Sequence, residues 1–330
     1  MNFDALAIGS TVIDVLAKSA AVVKTNKTIH HRREAFACIA FASKTTVDSI
    51  SVQLGGSAAN AATAMTRLGT KVKLLSGVGK DELGKFALEQ LQKAKVPTKP
   101  VKVFKKVGTG IGISIISSSG EKSTLVYKGA NNALSSKDLR DEDVKSCKTI
   151  FITSIPSKQN YLLFLKAMRL AKKFRKKTVF APSITMLRAQ HEKLTKLKET
   201  FDVVIMNQEE ALYLTKQKTL VQALKKLPGK TNLVTAGKNG AFLFDGKNTF
   251  SIKAPKVRIA DTSGAGDAFA GAFTSSFCKG LDGKKTLQTA ASVAALKLSQ
   301  VGAQFKGTEK QVEEFKKKHL KELKVYKMKN

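Results

Sequence analysis

The chain has 330 residues, and its 58 lysine and arginine residues against 25 aspartate and glutamate residues give a formal net charge of +33. The 42% hydrophobic and 25% charged contents are ordinary for a globular protein and exclude a chain that is disordered throughout. No apolar run approaches the roughly 20 residues of a membrane span, and Asp4 and Asp14 interrupt any signal-peptide core, so we expect a soluble cytoplasmic protein with no membrane partner.

The ratio of lysine to arginine bears on whether the chain binds nucleic acid, and the cysteine count bears on disulfides and metal sites. Lysine supplies 50 of the basic residues, whereas arginine, the usual reader of phosphates and guanine edges, supplies only 8. A nucleic-acid partner is therefore disfavoured, and a solvated lysine-rich surface is the preferred interpretation of the charge. The three cysteines have neither the even number of a disulfide framework nor the spacing of a metal site.

In the first half of the chain, strands alternate with helices and with longer β-rich segments. Hydrophobic periodicity predicts, in order, a strand over Phe3–Gly9, a helix over Ala58–Leu68 ended by Gly69, a strand over Val72–Leu75 and a helix through Leu83–Leu91. The alternating segment 35–54, and the segment 101–127 in which Gly and Ser separate short apolar runs, predict additional β structure.

From residue 149 onward the alternation of strands and helices is regular. The predicted strands are Thr149–Ile152, Thr178–Phe180, Val203–Met206 and Asn232–Thr235, followed by a hairpin with Asp245-Gly246 at its turn. The predicted helices are Tyr161–Phe174, one starting at Glu209, Leu220–Leu227, Asp267–Cys278, Leu287–Ser299 and Glu309–Leu320. This alternation predicts an α/β fold with a parallel sheet, which binds ligands beyond the carboxyl ends of its strands.

The two β-rich inserts, approximately 12–54 and 101–128, do not fit a parallel sheet joined by short crossovers. We predict that they form a small β layer over the ligand site. No long linker or internal repeat divides the chain, so we expect a single domain over residues 1–330.

The segment 261–267, Asp-Thr-Ser-Gly-Ala-Gly-Asp, is the most informative stretch for function. Gly264 and Gly266 flank Ala265 and allow the backbone to approach a ligand closely. A helix follows at once, and its unpaired amides and positive end suit an anion such as a phosphoryl group. Asp267 stands where its carboxylate can take a proton from an attacking hydroxyl, although a helix start with Asp as its cap explains the same residues. The stretch 261–269 contains no lysine or arginine, so the surplus charge is expected to lie outside it.

Two further segments place polar residues at expected helix starts. Gly55 and Gly56 precede a helix of small residues in which Asn60 is one turn from the start and suited to a polyol, although tight packing also explains the small residues. Asn207 and Glu210 follow a strand and share one helical face, where either can hold a metal-bound water or simply cap the helix.

Two further candidate site features are a turn at the end of a strand and an aspartate after the first strand. Thr235, Gly237 and Gly240 form another turn at the end of a strand, and alone they indicate only a loop. Asp14 follows the first strand. The phosphate-binding patterns GxxxxGK[ST] and GxGxxG are absent, so a P-loop or dinucleotide fold has no support.

Taken together, these elements resemble the ribokinase-like (PfkB) family of carbohydrate and nucleoside kinases. The resemblance covers nearly the whole chain, from Ala7 to Gln304. It rests chiefly on the Gly-Gly element at residues 55–56 and the Asp-Thr-Ser-Gly-Ala-Gly-Asp element about 200 residues later. It implies a three-layer α/β sandwich, with a mostly parallel central sheet, helices on both faces and a small β-sheet lid that in some members mediates dimers.

The resemblance also implies ATP-dependent transfer of the γ-phosphoryl group to a hydroxyl of a small-molecule substrate, with ATP as co-substrate and Mg²⁺ as cofactor. By resemblance, the general base is Asp267 and the anion hole is formed by Gly264, Ala265 and Gly266. The resemblance also implies that the sugar is bound by Asp14, Gly55, Gly56 and Asn60, and that the nucleotide is contacted by Thr235, Gly237 and Gly240. It further implies that Asn207 and Glu210 act on phosphate and, through water, on magnesium, and that Asp261 is a ligand of a monovalent cation, K⁺, in potassium-activated members.

Two departures leave part of this assignment open. Residues 17–54 are longer and more basic than a ribokinase would suggest, which leaves the sugar undetermined. Lys306 stands where many potassium-activated members carry a small polar residue, which leaves the cation undetermined.

Two alternatives to a carbohydrate kinase remain open. A nucleoside kinase of the same family needs a wall for the base, which Phe36, Phe41 or Phe104 in the predicted lid can supply. A kinase fold acting mainly as a nucleic-acid-binding or regulatory protein would use the positive charge, although the intact 261–267 segment argues against an inactive enzyme.

Overall fold

A computed structural model describes residues 2–29, 32–118, 121–155, 157–195 and 201–328. Its strands are β1 Phe3–Ile8, β2 Val12–Lys18, β3 Val23–Ile29, β4 Arg32–Cys38, β5 Ser49–Gly55, β6 Val72–Leu75, β7 Gly77–Gly79, β8 Lys102–Phe104, β9 Gly110–Ile116, β10 Lys122–Tyr127, β11 Cys147–Ile152, β12 Lys177–Phe180, β13 Phe201–Asn207, β14 Gly229–Thr235, β15 Ala241–Phe244, β16 Thr249–Ile252 and β17 Val325–Lys327.

The α-helices lie between these strands and at the end of the chain. They are α1 Ser57–Arg67, α2 Glu82–Lys93, α3 Ala130–Ala133, α4 Asp141–Lys145, α5 Lys158–Lys173, α6 Ile184–Thr195, α7 Gln208–Thr215, α8 Leu220–Lys226, α9 Ala265–Cys278, α10 Gly283–Leu298 and α11 Glu309–Lys318. Within the part of the chain that the structure describes, no helix is both long enough and apolar enough to cross a membrane.

The central sheet contains nine of the described strands in the order β17-β16-β15-β14-β13-β12-β11-β1-β6. Every pairing from β6 to β14 is parallel, and the three pairings from β14 to β17 are antiparallel. The predicted hairpin around Asp245-Gly246 forms part of this antiparallel edge as β15 and β16. The predicted α/β fold with a mostly parallel sheet is therefore confirmed.

Side chains alternate between the two faces of this sheet and so divide the core into two clusters. In β1, Ala5 and Ala7 pack in one cluster, and Leu6 and Ile8 pack in the other. The first cluster also contains residues of α1, α2, α9, α10 and α11, and the second contains residues of α4 to α8. Helices on both faces give the predicted three layers.

A second, four-stranded sheet has the order β10-β9-β2-β5 and combines strands from both β-rich inserts. Its register places Asp14 of β2 between Gln53 of β5 and Gly112 of β9. Lys122 of β10 donates a hydrogen bond to Ser263 Oγ (2.9 Å), directly before α9. This contact joins the small sheet to the segment 261–267.

Several element boundaries differ from the expectations because side-chain caps start helices early. Asp282 accepts hydrogen bonds from the amides of Lys284 and Lys285, so α10 begins at Gly283 and not at Leu287. Ser157 likewise caps α5, which begins at Lys158.

Phe104 is not part of the four-stranded sheet, contrary to its expected place in the lid. It ends β8, which pairs with β7, and its ring packs against the second core cluster. This location removes Phe104 as a wall for a bound base.

The packing of α1 against α9 requires glycine at position 271. A Cβ at Gly271 would lie 2.5 Å from the carbonyl oxygen of Ala61, and neither helix backbone can give way. We expect Gly271→Ala to lower the free energy of unfolding by about 1–3 kcal/mol, measured by urea denaturation. Gly283→Ala is the matched control, because the nearest atom to its added Cβ is a leucine methyl at 3.6 Å. Equal stabilities of the two variants would contradict this packing.

Candidate active site

Five of the residues singled out in the sequence line one cavity of about 190 Å³: Asn207, Glu210, Thr235, Gly266 and Asp267. β13 ends at Asn207 and β14 at Thr235, so the cavity opens at the carboxyl ends of neighbouring parallel strands. The fold therefore brings together polar groups that are separated by up to 60 residues in the chain.

Asp267 is held in a fixed orientation by α1. Asn60, which is buried, donates from its Nδ2 to Asp267 Oδ2 (2.9 Å). Burial raises the pKa of Asp267, and hydrogen bonds from Asn60 and Ser57 act in the opposite direction. The result is a carboxylate with a higher proton affinity than an ordinary aspartate, as a general base requires.

The backbone of the segment 264–266 is shaped for close approach by a ligand. Gly264 caps α9 with φ of 71°, and a Cβ there would lie 1.9 Å from the carbonyl oxygen of Ala303, so only glycine fits. A Cβ at Gly266 would meet no atom within 4 Å, because this position faces open space. The first amides of the 14-residue helix α9 have no intrahelical acceptors and carry partial positive charge toward that space.

A second cavity of about 280 Å³ adjoins the first and shares Thr235 and Gly266 with it. Gly237 and Gly240, with φ values of 55° and 86°, form its turn. The other walls are mainly apolar side chains of α9 and α10: Phe269, Ala291, Ala294, Ala295 and Leu298. A flat apolar group attached to a polar chain would fit across the two cavities.

Asn207 and Glu210 form a reciprocal cap at the start of α7. Asn207 Oδ1 accepts from the Glu210 amide (2.9 Å), and Glu210 Oε2 accepts from the Asn207 amide (2.8 Å). Glu210 Oε1 also accepts from the amide of Ile184 (3.1 Å). Burial raises the pKa of Glu210 to about 7, against the lowering effect of these backbone bonds and with a further increase from the charge of Asp267. This pair is a structural cap that also faces the cavity.

Asp14 lies in the four-stranded sheet between two glycines that leave room for its carboxylate. A Cβ at Gly55 would lie 2.0 Å from Asp14 Oδ2, and one at Gly112 would lie 2.6 Å from Oδ1. Burial raises the pKa of Asp14 to about 6, Lys122 opposes the rise, and Asp267 adds to it. The negative charges of Asp267 in α9 and of Asp261 therefore both act on Asp14.

Gly56, unlike Gly55, is required for the backbone conformation at the start of α1. Its φ of 97° lies in the region that favours glycine, and a Cβ would lie 2.5 Å from the carbonyl oxygen of Ser10. It sets the start of α1 and thereby the place of Asn60.

Two lysines that are distant in sequence contact the 261–267 segment, which itself contains no basic residue. Lys122 donates to Ser263 Oγ, and Lys297 Nζ donates to the carbonyl oxygen of Asp261 (3.0 Å). Sequence reasoning missed both. The signal for Lys297 was its spacing of four from Val293 and seven from Ala290, which places a lysine on the buried face of α10.

The carboxylates in the first cavity fit Mg²⁺, but they do not form a site by themselves. Among the described residues there is no group of three or more His, Cys, Asp or Glu side chains placed to hold a metal. Mg²⁺ commonly takes one or two carboxylates and completes its shell with waters and substrate phosphates, and Glu210 and Asp267 face one cavity.

The residues around Asp261 do not fit a potassium ion. Its carbonyl oxygen accepts from Lys297, and its carboxylate accepts from the amides of Ser263 (2.8 Å) and Gly302 (3.0 Å). Lys306 Nζ donates to the carbonyl oxygen of the adjacent Val301 (3.0 Å). Oxygen atoms that would serve a free cation are already bonded, and two ammonium groups stand beside them.

Comparison with known proteins gives consistent matches over most of the chain. The model of the pfkB family of carbohydrate kinases matches residues 4–311. An ATP-dependent 6-phosphofructokinase of Thermoanaerobacterium thermosaccharolyticum is 27% identical over 267 residues, which cover 78% of this chain and 82% of that protein.

Solved structures show the same fold. An Escherichia coli protein with a provisional ribokinase II assignment, in complex with ATP and Mg²⁺, has a TM-score of 0.80 at 21% identity, covering 96% of this chain and all of the other. Ribokinase of Arabidopsis thaliana, complexed with ribose and ATP, has a TM-score of 0.78 at 22% identity, covering 96% of this chain and 99% of the other.

The raised pKa of Glu210 predicts a pH-dependent contribution to stability. Between the ordinary glutamate pKa of 4.5 and about 7, the folded protein retains a proton on Glu210 that the unfolded chain releases. The contribution of Glu210 to the free energy of unfolding therefore falls as pH rises through this window. The Tm of Glu210→Gln, minus that of the unchanged protein, should rise from pH 4.5 to 7. The same difference for Glu89→Gln, an exposed residue of α2, should stay flat, and matching behaviour of the two variants would contradict the assignment.

Proposed function

The chain belongs to the pfkB family of carbohydrate kinases and is a phosphotransferase acting on an alcohol group, and from this premise we propose that it transfers the γ-phosphoryl group of ATP to a hydroxyl of a small carbohydrate, with Asp267 as general base. The observation that carries the proposal is the Asn60–Asp267 hydrogen bond at the open start of α9. It places a carboxylate of raised pKa beside helix amides that have no acceptor within the helix, and these are the two groups that this transfer needs.

The two adjoining cavities support an assignment of nucleotide parts. The apolar cavity around Phe269 and Ala291 suits the base, and the glycine turn at Gly237 and Gly240 leaves room for the sugar and phosphates. Thr235 and Gly266, common to both cavities, then stand where the phosphate chain passes toward Asp267. The amides of residues 264–266 hold the transferred group and stabilise the charge that builds on its oxygens.

Asp14 and Asn60 hold the acceptor. Asp14 lies in a niche left open by Gly55 and Gly112, and its ionised carboxylate accepts hydrogen bonds from sugar hydroxyls. Asn60 Oδ1 is a buried acceptor for which the described residues offer no donor, as expected where a ligand hydroxyl supplies one. Gly56 positions Asn60 through the start of α1.

Asp267 accepts the proton from the attacking hydroxyl as the new phosphate ester bond forms and the bond to the leaving ADP oxygen breaks. The Asn60 bond keeps one carboxylate oxygen in place, so the reaction needs little reorientation. Mg²⁺, when bound with ATP, neutralises phosphate charge. Glu210, acting through water, is the residue of this cavity that would hold it, which leaves Asp267 as the base.

The four-stranded sheet serves as a lid over the acceptor. Its strand β2 carries Asp14, and its strand β10 contacts Ser263 through Lys122. Closure over the acceptor would exclude water and limit wasteful hydrolysis of ATP. Exposed apolar side chains on the same sheet, among them Ile50, Val52 and Leu125, are consistent with pairing of two such sheets in a dimer.

A nucleoside acceptor has less support than a carbohydrate. Of the three aromatic candidates, Phe104 packs into the core, and Phe41 is fully exposed to solvent. Phe36 lines a separate small cavity with Val22 and Ser123. No observation favours a nucleic-acid-binding role for the basic surface.

The direct test is ADP formation from MgATP with a panel of acceptors: ribose, fructose, phosphorylated hexoses, adenosine and cytidine. We expect turnover with a sugar or sugar phosphate. Turnover with nucleosides alone would favour the alternative within the family. A protein that phosphorylates no member of the panel, yet binds duplex DNA in a salt-dependent manner, would contradict the proposal.

Asp267→Asn should lower kcat by about 10²–10⁴ while the KM values for both substrates change little, because the variant loses the proton acceptor and keeps the shape. Steady-state kinetics with the best acceptor measure this effect. Asp282→Asn, which preserves a helix cap at a residue that lines neither cavity, is the matched control and should be unaffected. Near-normal turnover of Asp267→Asn would rule out the base assignment.

Protonation of Asp14 should weaken acceptor binding. Its pKa of about 6 in the free protein predicts that kcat/KM for the acceptor falls as pH drops below about 6, because the protonated acid loses an acceptor lone pair. Asp14→Asn should lower kcat/KM by about 10–100-fold at pH 8 and remove this acid limb. An acid limb that persists unchanged in Asp14→Asn would show that another group causes it.

A further inference from the structure

Lys297 is a fully buried lysine that the proposed reaction does not use. It belongs to α10, its exposed fraction is 0%, and it is among the largest fully buried side chains of the described residues. Its Nζ donates to the carbonyl oxygens of Asp261 (3.0 Å) and Gln300 (3.3 Å). Burying an ammonium group is costly, so its partners must be held firmly in place.

The two carbonyls belong to segments that converge at the start of α9. The amide of Ala260 donates to the carbonyl oxygen of Leu298 (2.8 Å), and the Asp261 carboxylate binds the amides of Ser263 and Gly302. Gly264, two residues after Thr262 in the same loop, packs directly against the carbonyl of Ala303. Lys297 therefore holds the junction from which the 264–266 segment extends.

Backbone carbonyl oxygens converging on one positive charge are the usual surroundings of a bound monovalent cation. Here the charge is part of the chain. Burial acts to raise the pKa of Asp261, but the hydrogen bonds to its carboxylate and the charge of Lys297 lower the pKa overall. Asp261 is therefore a carboxylate whose negative charge balances the ammonium of Lys297. Lys306, bonded to the carbonyl oxygen of Val301, adds to the positive charge of Lys297, and the two ammonium groups together repel a free cation.

We propose that the Lys297 ammonium acts as a tethered monovalent cation, which orients the 261–266 loop so that this protein needs no potassium ion. The inference rests on the proposed role of residues 264–266 as the anion hole. Lys297 is a positioning residue, because its ammonium contacts the loop and not the reacting groups.

The test compares KCl with choline chloride at equal ionic strength, using the unchanged protein, Lys297→Ala and Lys297→Met. Turnover of the unchanged protein should differ by less than about twofold between the two salts. In choline chloride, Lys297→Ala should lose about 10²-fold in kcat, because the loop amides are no longer held. KCl should restore about tenfold or more of that loss, since the alanine leaves space and carbonyl ligands for K⁺. Lys297→Met fills the space without charge and should be impaired in both salts.

Thermal unfolding in the two salts separates this inference from the proposed function. The Tm of Lys297→Ala should be higher in KCl than in choline chloride, whether or not any acceptor is phosphorylated. Lys285→Ala, on the exposed side of the same helix, is the control and should respond equally to both salts.

Three results would overturn the proposal. They are severalfold activation of the unchanged protein by KCl, a Lys297→Ala variant that responds to KCl in neither turnover nor Tm, and full activity of Lys297→Met. If Lys297→Ala does not fold in choline chloride, recovery of folded protein in KCl supports the proposal. If Lys297→Ala folds in neither salt, Lys297→Ser is measured in its place and judged by the same three results.

Discussion

The start of α9 depends on one constraint: a carboxylate and a set of amides with no acceptor within the helix must be held side by side at an open cavity. The Asn60–Asp267 hydrogen bond fixes the carboxylate, and the contact of Gly264 with Ala303 fixes the amides. Both groups lie at the carboxyl ends of the parallel strands, where the architecture leaves a cleft. The proposed nucleotide and acceptor positions follow from this junction.

Close packing of α1 against α9 makes the junction possible. Asn60 reaches Asp267 because Gly271 lets α9 approach the backbone of Ala61. The small residues of α1 are therefore explained by packing, and the packing in turn explains the site. The two interpretations of that segment, which compete when only the sequence is considered, describe the same feature.

Much of the site could be predicted because its residues lie in short local patterns at strand ends. Asn207, Glu210, Thr235 and Asp267 were singled out from such patterns, and they line one cavity. Lys297 could not be placed in this way, because the partners of a buried lysine lie in segments that meet only in the folded chain. Phe104 was misplaced for a similar reason, since its strand pairs with β7 and not with its neighbours in sequence.

The most direct measurement is a crystal structure of the protein with a non-hydrolysable ATP analogue, Mg²⁺ and the best acceptor. We expect the γ-phosphate to contact the amides of residues 264–266 and an acceptor hydroxyl to lie within hydrogen-bond distance of Asp267. The adenine base of the ATP analogue should lie against Phe269, and no potassium ion should replace the Lys297 ammonium beside Asp261. A γ-phosphate bound away from the start of α9, with Asp267 facing no acceptor hydroxyl, would contradict the central claim.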